Sequence, residues 1–348
     1  MSESSVQKLG LGVVGVGMVA RTHAMALRDI SAQIEVRGVF ARNRERRESF
    51  AAEFGFPAAD SLEALLADPA IEALLVLTPP DSRAEIVSAA ARAGKHVLLE
   101  KPIERTTEAA RAIVEDAEAA GITLAVTLQT RFRAASIALK RLVVEKTLGE
   151  IAAVQVSVPW WRPQSYYDEP GRGTLSRDGG GVLITQAIHT LDLVLWAVGR
   201  IAEVQANAGT SRLHRMEGED FVAGGLRFEN GVPGSLLATT ANFPGAPEEI
   251  VVGFERGSAR LSAGVLTVTR HDGLTEQVGE ESGSGGGANP MAFSHEWHRA
   301  LIADFAKAVQ EGRPPAITGR EALEVHRLID ALMLSSKERR AVRLDEVG

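Results

Sequence analysis

"LGLGVVGVGMVARTHAMAL", Leu9 to Leu27, runs from unbroken apolar residues through glycines into a helix-period pattern. A strand, a tight turn and a helix in that order decide the fold. Gly15-x-Gly17-x-x-Ala20 puts small residues where a dinucleotide-binding turn needs them. Gly15 makes the turn, Gly17 lets backbone approach a pyrophosphate, and Ala20 permits close helix–strand packing. The helix N-terminus that follows favours phosphate charge. Gly15, Gly17, Met18 and Val19 are therefore candidate cofactor contacts.

Outward from this turn, strand-like runs alternate with helix-period runs. The strands are "IEVRGVF" (34–40), "ALLVLT" (73–78), "HVLLE" (96–100) and "TLAVTL" (123–128), and "EAARAIVEDAEAAG" (108–121) reads as a glycine-capped helix. That alternation predicts a parallel sheet with crossover helices. After about residue 150 the runs "AAVQVSVPW", "FVAGGLRF", "GSLLATTA" and "EEIVVGF" follow one another, accompanied by helices at 182–198, 293–311 and 319–337. The expected architecture is an α/β Rossmann domain over 1–127. A C-terminal α+β domain over 128–348 follows, with a large open, mainly antiparallel sheet for substrate binding and oligomerisation. The C-terminal helix is expected to pack back at the domain interface. "GEESGSGGGANP" (279–290) reads as a flexible connection.

Composition narrows the chemistry. The 348 residues carry a net charge of −7, which disfavours nucleic-acid and anionic-membrane partners. No run of apolar residues is long enough for a membrane span, and "MSESSVQKLG" has no apolar export segment, so a cytoplasmic location is expected. With no cysteine, disulfides, thiolate catalysis and cysteine-held zinc are excluded. The eight histidines form neither HxxxH nor HExxH, so no metal is expected.

The end of the second strand distinguishes the two dinucleotides. An acidic residue there would bind the ribose 2′-hydroxyl of NAD, but the sequence reads Ala41-Arg42-Asn43. A guanidinium in place of a carboxylate suits a 2′-phosphate, so NADP is favoured over NAD. The alternative makes Arg42, Arg44, Arg46 and Arg47 a solvated helix face. Thr78, Pro79 and Pro80 close the third strand at its ligand-binding end. In "GKHVLLEKPIE" the fourth strand ends on Glu100, then Lys101 and Pro102. Proline restricts Lys101 to extended geometry and so aims its side chain. Beside an oxidised nicotinamide the ammonium form is disfavoured, which suits proton transfer. A surface lysine paired with Glu100 is the competing reading.

The N-terminal GxGxxA, the "EKP" after the fourth strand and the "GGG…H…D" near residue 180 together resemble the Gfo/Idh/MocA oxidoreductases. That family is named for glucose–fructose oxidoreductase, inositol dehydrogenase and a rhizopine-catabolism protein. The resemblance runs from Leu9 to the "GREALEVHRLIDALMLSS" helix. It implies that Lys101 is a catalytic acid/base touching the nicotinamide ribose, and that the peptide before Pro102 is often cis. It also implies that Thr127–Phe132 crosses between domains, with Gln129 and Arg131 at the ligand cleft.

The family usually places an aspartate four residues before its helix histidine. Here "GGGVLITQAIHTLDL" has Thr185 at that position and His189 as the histidine. On a regular helix Thr185, His189 and Asp192 share a face, with Gln186 adjoining. Thr and Gln offer only neutral hydrogen bonds. The expected machinery is therefore a Lys101/His189 pair, with Thr185 and Gln186 as substrate ligands; a satisfied core histidine is the bland alternative. Arg162, Tyr166, Tyr167 and Arg172 lie in the preceding loop and suit a carbohydrate ring or an acidic group. There the competing roles are sheet capping by Trp160 and Trp161 and an Arg172–Asp178 pair. His295 and His298 read as residues covering a helix.

The resulting expectation is reversible hydride transfer between NADP or NAD and a secondary alcohol or ketone of a sugar, polyol or sugar derivative. A homodimer or homotetramer through the C-terminal sheet is implied by the resemblance. Other possibilities are a dinucleotide-binding sensor without turnover, and a dehydrogenase of a dihydrodiol or imine.

Overall fold

A computed structural model of the chain describes residues 8–281 and 294–347. Most of the glycine-rich connection at 279–290 lies outside them. The chain forms two compact units. The first comprises Met1–Glu104, Glu108–Gln129 and His295–Ala322; the second comprises Arg105–Thr107, Thr130–Ser294 and Leu323–Gly348.

The first unit is built on strands β1 (Leu9–Val14), β2 (Ile34–Phe40), β3 (Ala73–Val76), β4 (His96–Leu99) and β5 (Leu124–Val126). They form one parallel sheet in the order β2-β1-β3-β4-β5. Every residue of β1, β3 and β5 is buried, because helices cover both faces of a parallel sheet. Between the strands run α1 (Ala20–Asp29), α2 (Arg44–Phe54), α3 (Leu62–Ala67), α4 (Arg83–Arg92) and α5 (Thr107–Ala119). The Asn43 side chain caps α2 by accepting the Arg46 N–H at 2.9 Å. Gly121 takes a left-handed φ of 68° just past α5, as the glycine stop signal requires. Each aliphatic side chain buried in this layer contributes about 1.5–3 kcal/mol.

The second unit holds α6 (Ala134–Val144), α7 (Gln164–Tyr167) and α8 (Ile188–Ala197). Its strands are β6 (Ile151–Pro159), β7 (Ile201–Gly209), β8 (Phe221–Phe228), β9 (Pro233–Thr239), β10 (Glu249–Phe254), β11 (Gly257–Ser262), β12 (Val265–Arg270), β13 (Thr275–Gly279) and β14 (Val342–Arg343). They form a nine-stranded sheet in the order β13-β12-β11-β10-β6-β9-β8-β7-β14. β10 alternates buried and half-buried residues, the mark of a sheet with one covered face. The β6/β9 pair is parallel and the others are antiparallel. A parallel pair needs a long crossover, which residues 160–232 supply with α7, α8, β7 and β8.

Helix α9 (Glu296–Glu311) follows the second sheet in sequence but belongs to the first unit, where it packs on α1 and β4. Helix α10 (Gly319–Glu338) ends the helical series. No described helix is long and apolar enough to cross a membrane.

Candidate active site

In the first unit the turn after β1 has the required geometry. Gly15 adopts φ +106°, and a Cβ there would lie 3.0 Å from the Leu77 carbonyl carbon. A Cβ on Gly17 would meet nothing within 4 Å, so the protein's own packing does not demand that glycine. The vacant space is what a pyrophosphate needs. No side chain caps the start of α1, leaving that positive helix end to a ligand. Met18 is exposed and Val19 half-buried beside the turn.

At the end of β2, Ala41 is half-buried and Arg42 exposed. The four arginines here do not form a uniform solvated face. Arg44 pairs with Glu48 at 2.7 Å, whereas Arg47 is buried, packs over Phe40 and donates to the Asp60 carbonyl at 3.3 Å. Among the described residues Arg42 makes no ion pair.

At the strand ends beyond β3 and β5, Thr78 and Gln129 have buried side-chain oxygens without a hydrogen-bond partner among the described residues. Buried polar atoms in native proteins are normally satisfied, and ligands of open α/β sheets bind at these ends. Two such atoms there fit a dinucleotide. Pro79 is half-buried, and Pro80 opens a short 3-10 turn over Pro80–Ser82.

Lys101 is half-buried just past β4, and the Lys101–Pro102 peptide is cis. Glu100 is turned inward. Its Oε2 accepts the Lys101 backbone N–H at 3.0 Å, and its Oε1 lies 2.7 Å from His23 Nε2. Burial works against the Glu100 charge, but the hydrogen bond from His23 and the neighbouring His23 and Lys101 pull its carboxyl down to about 2. Ionised Glu100 can only accept, so His23 donates from Nε2. His298, on α9, stands edge-on to His23 with ring centroids 4.8 Å apart. Burial lowers its imidazole to about 3, so it is neutral at ordinary pH. His298 is thus part of this buried cluster as well as of a helix surface.

His23, Glu100 and His298 place three potential metal-ligand atoms within 4.8 Å of one another. Two ligands of a tetrahedral zinc would stand about 3.3 Å apart. The 2.7 Å His23–Glu100 separation is instead that of a charge-assisted hydrogen bond. Arg83, buried on α4, donates to the Thr78 carbonyl at 2.9 Å and to the carbonyls of Glu100 and Pro102. Burial lowers its guanidinium to about 10, still charged at neutral pH.

In the second unit the histidine helix is not regular. Leu183–Ala187 forms a π turn that leads into α8. Such turns often mark functional sites, because the extra residue re-aims the side chains around it. Thr185 and His189 are half-buried among neighbours that are buried. Asp192 is buried and forms a bidentate pair with Arg131, at 2.9 and 2.5 Å. Arg131 is thereby a structural partner of the helix. Thr185 Oγ1 donates to the Gly181 carbonyl at 2.6 Å and also bonds Gln186 Oε1. Gln186 Nε2 is buried without a partner among the described residues.

The glycines before this helix are explained by close backbone packing. A Cβ on Gly181 would sit 1.8 Å from the Glu219 carbonyl oxygen. Glu219 caps the helix start, its carboxylate accepting the Gly181 and Leu183 N–H groups at 3.0 and 2.9 Å. Burial raises its carboxyl despite those two bonds.

In the preceding loop Arg162 is buried and donates to the Trp161 carbonyl at 2.8 Å. The guanidiniums of Arg162 and Arg172 lie 5.6 and 5.0 Å from the centre of the Tyr166 ring. Arg172 pairs with Glu169 at 3.4 Å rather than with Asp178, which accepts the Gly173 N–H. Tyr167 is buried, with its hydroxyl 2.7 Å from Thr240 Oγ1, as a satisfied core tyrosine would be. Sequence reasoning did not find His23, Arg83 or Glu219. His23 alone left a signal, as a polar residue on the apolar face of α1.

Comparison with known proteins identifies the family. Residues 9–128 match a family model described as an oxidoreductase family with an NAD-binding Rossmann fold. Residues 137–260 match the GFO/IDH/MocA C-terminal domain. The 1,5-anhydro-D-fructose reductase of Ensifer adhaerens is 32% identical over 224 residues, 64% of this chain and 66% of that protein. The NADP-dependent scyllo-inositol 2-dehydrogenase IolW of Bacillus subtilis is 25% identical, covering 98% of this chain and 97% of its own. Among solved structures, the WlbA dehydrogenase of Bordetella pertussis, in complex with NADH and UDP-GlcNAcA, superposes with a TM-score of 0.82. It is 27% identical, and the match covers 97% of this chain and 99% of that one. The chain belongs to the Gfo/Idh/MocA family of oxidoreductases, and its first unit carries that family's NAD-binding Rossmann fold.

Proposed function

We propose that this chain is an NAD(P)-dependent dehydrogenase acting on a secondary alcohol or ketone of a sugar, polyol or sugar derivative. The observation that carries the reading is the strand edge of the first unit. There Lys101 follows β4, while Thr78 and Gln129, beyond the neighbouring strands β3 and β5, hold unsatisfied buried oxygens. The similar proteins whose names specify a sugar or inositol substrate support the same substrate class.

The residues suited to hold the dinucleotide are Gly15, Gly17, Met18 and Val19 at the phosphates, Thr78 to Pro80 and Gln129 at the strand ends, and Ala41 with Arg42 at the ribose. Exposed Arg42, with no acidic residue beside it at the end of β2, supports NADP. When bound, the nicotinamide supplies hydride acceptance or donation. Lys101 Nζ takes the hydroxyl proton during alcohol oxidation and returns it in the reverse direction. His189 binds or relays that proton. Thr185 and Gln186 offer neutral hydrogen bonds to the substrate, and Arg162, Tyr166 and Arg172 supply an aromatic and cationic surface for it. Position 185 holds a threonine where the family usually has a carboxylate beside the histidine. Glu100, also expected at the cofactor, holds the Lys101 backbone N–H beside it. A cytoplasmic location and a homodimer or homotetramer through the second sheet complete the proposal, with residues 128–348 as the substrate domain.

The test is a panel of sugars, inositols and sugar acids incubated with NAD and with NADP, followed by the near-ultraviolet absorbance of reduced nicotinamide. Turnover of at least one polyol or sugar, faster with NADP, is expected. Silence across the panel with both cofactors would contradict the reading.

A further inference from the structure

Three buried polar side chains converge on the peptide units flanking Lys101, from three different elements. The Glu100 carboxylate holds the Lys101 N–H at 3.0 Å. His23, from α1, holds the other oxygen of that carboxylate at 2.7 Å. Arg83, from α4, donates to the carbonyls on either side of Lys101, those of Glu100 and Pro102, and to Thr78 on the neighbouring strand end at 2.9 Å. The relative exposures of His23, Arg83 and Glu100 are 0%, 3% and 5%.

Burying a guanidinium and a carboxylate costs several kcal/mol unless their hydrogen bonds are made. Here those bonds are spent on main-chain atoms around one lysine. A fold that needed only stability would be served as well by apolar side chains of similar volume. The titratable groups facing Glu100 are His23 from α1, Arg83 from α4, His298 from α9 and the adjacent Lys101. His23 also lies one turn beyond Ala20, on the helix whose start forms the phosphate turn.

We infer that Arg83 and the His23–Glu100 pair are positioning residues for Lys101, locking the backbone from which its amine reaches the substrate. The inference rests on the reading of Lys101 as the proton-transfer group. Glu100 fixes the lysine N–H, His23 holds the Glu100 carboxylate in place, and Arg83 ties the turn to β3. Side chains that never touch substrate thereby set where the amine stands and how readily it gives up its proton.

The test compares His23→Leu, His23→Gln and Arg83→Lys in the full chain loaded with NADPH. Glutamine retains an N–H donor near the position of Nε2, and leucine retains only volume. Lysine can reach at most one of the three carbonyls. His23→Leu and Arg83→Lys are expected to lower kcat about 10- to 100-fold, the scale of a catalytic group misplaced by an ångström. KM and NADPH affinity should stay within about twofold, and His23→Gln should recover most of the lost rate.

A second readout needs no substrate: the pH titration of the Lys101 amine, carried by reductive 13C-methylation and assigned by loss of its signal in Lys101→Arg. Its midpoint should rise in His23→Leu, as the freed Glu100 carboxylate turns to the amine, and return in His23→Gln. An unmoved titration in His23→Leu, or glutamine as impaired as leucine in both readouts, would overturn the inference. If the wild type turns over nothing, the functional reading fails on its own and the titration alone decides this one.

Discussion

The turn that carries Lys101 and the helix that carries His189 are held in different ways. Around Lys101 the fold uses buried charge: a guanidinium, a carboxylate and an imidazole bonded to main-chain atoms and to each other. Ahead of His189 it uses the absence of side chains, with Gly181 pressed against the Glu219 backbone and Glu219 capping the helix. Around Lys101 the bonds are made by charged groups, and hydrogen bonds to charged groups are the stronger and more directional kind. Buried charge is bonded around the backbone of Lys101, whereas the helix of His189 combines close glycine packing with the Glu219 cap and the Arg131–Asp192 pair.

The largest effect that would break this contrast is at the amine itself. Lys101→Ala should lower kcat by about 10³-fold or more, within the range of general acid–base catalysis, with NADPH affinity retained in a fluorescence titration. On the steric side, Gly181→Ala drives a methyl into the Glu219 carbonyl and should cost about 3 kcal/mol of stability in urea unfolding. Stability equal to wild type would show that the backbone contact is not needed. His189→Asn should lower kcat about 100-fold or less, without loss of stability, because it removes one proton-handling group from a helix held elsewhere. A melting temperature reduced as far as in Gly181→Ala would make His189 a core residue.

The smallest effect separates the units by pH. The folded-state proton affinities of Glu100 and His298 both lie below their ordinary values, near 2 and 3. In each case the unfolded chain binds more protons in acid, so stability falls as pH falls. His298 acts from its ordinary value of 6.5 downward, and Glu100 from 4.5 down through about 2. Between pH 6.5 and 5 the loss of melting temperature should be shallower in His298→Leu than in wild type. Parallel slopes would remove His298 from the account of acid sensitivity.

Much of the fold was legible because its signals are local. The five parallel strands follow from apolar runs, the phosphate turn from three small residues, and Lys101 from its place between a strand end and a proline. The devices that hold those residues were not legible, because each joins distant parts of the chain. His23 meets Glu100 across 77 positions, Asp192 meets Arg131 across 61, and Glu219 meets Leu183 across 36. In sequence Arg83 and Glu219 look like ordinary surface charges, and Asp192 falls on the His189 face of an ideal helix. In α8, three residues beyond His189, Asp192 is buried against Arg131, a partner 61 positions away in sequence. Thr185 was legible as the residue standing where the family has an aspartate, and the structure adds that its hydroxyl turns back onto the Gly181 carbonyl.

The most direct test of the central claim, that the Lys101 amine carries the substrate proton, is chemical rescue of Lys101→Ala. The alanine variant, saturated with cofactor and the best substrate of the panel, is assayed with increasing concentrations of small primary amines. The account predicts a saturable recovery of turnover that strengthens with amine basicity and is absent in the wild type. Intact cofactor binding with no rescue by any amine, or an alanine variant as active as the wild type, would contradict it.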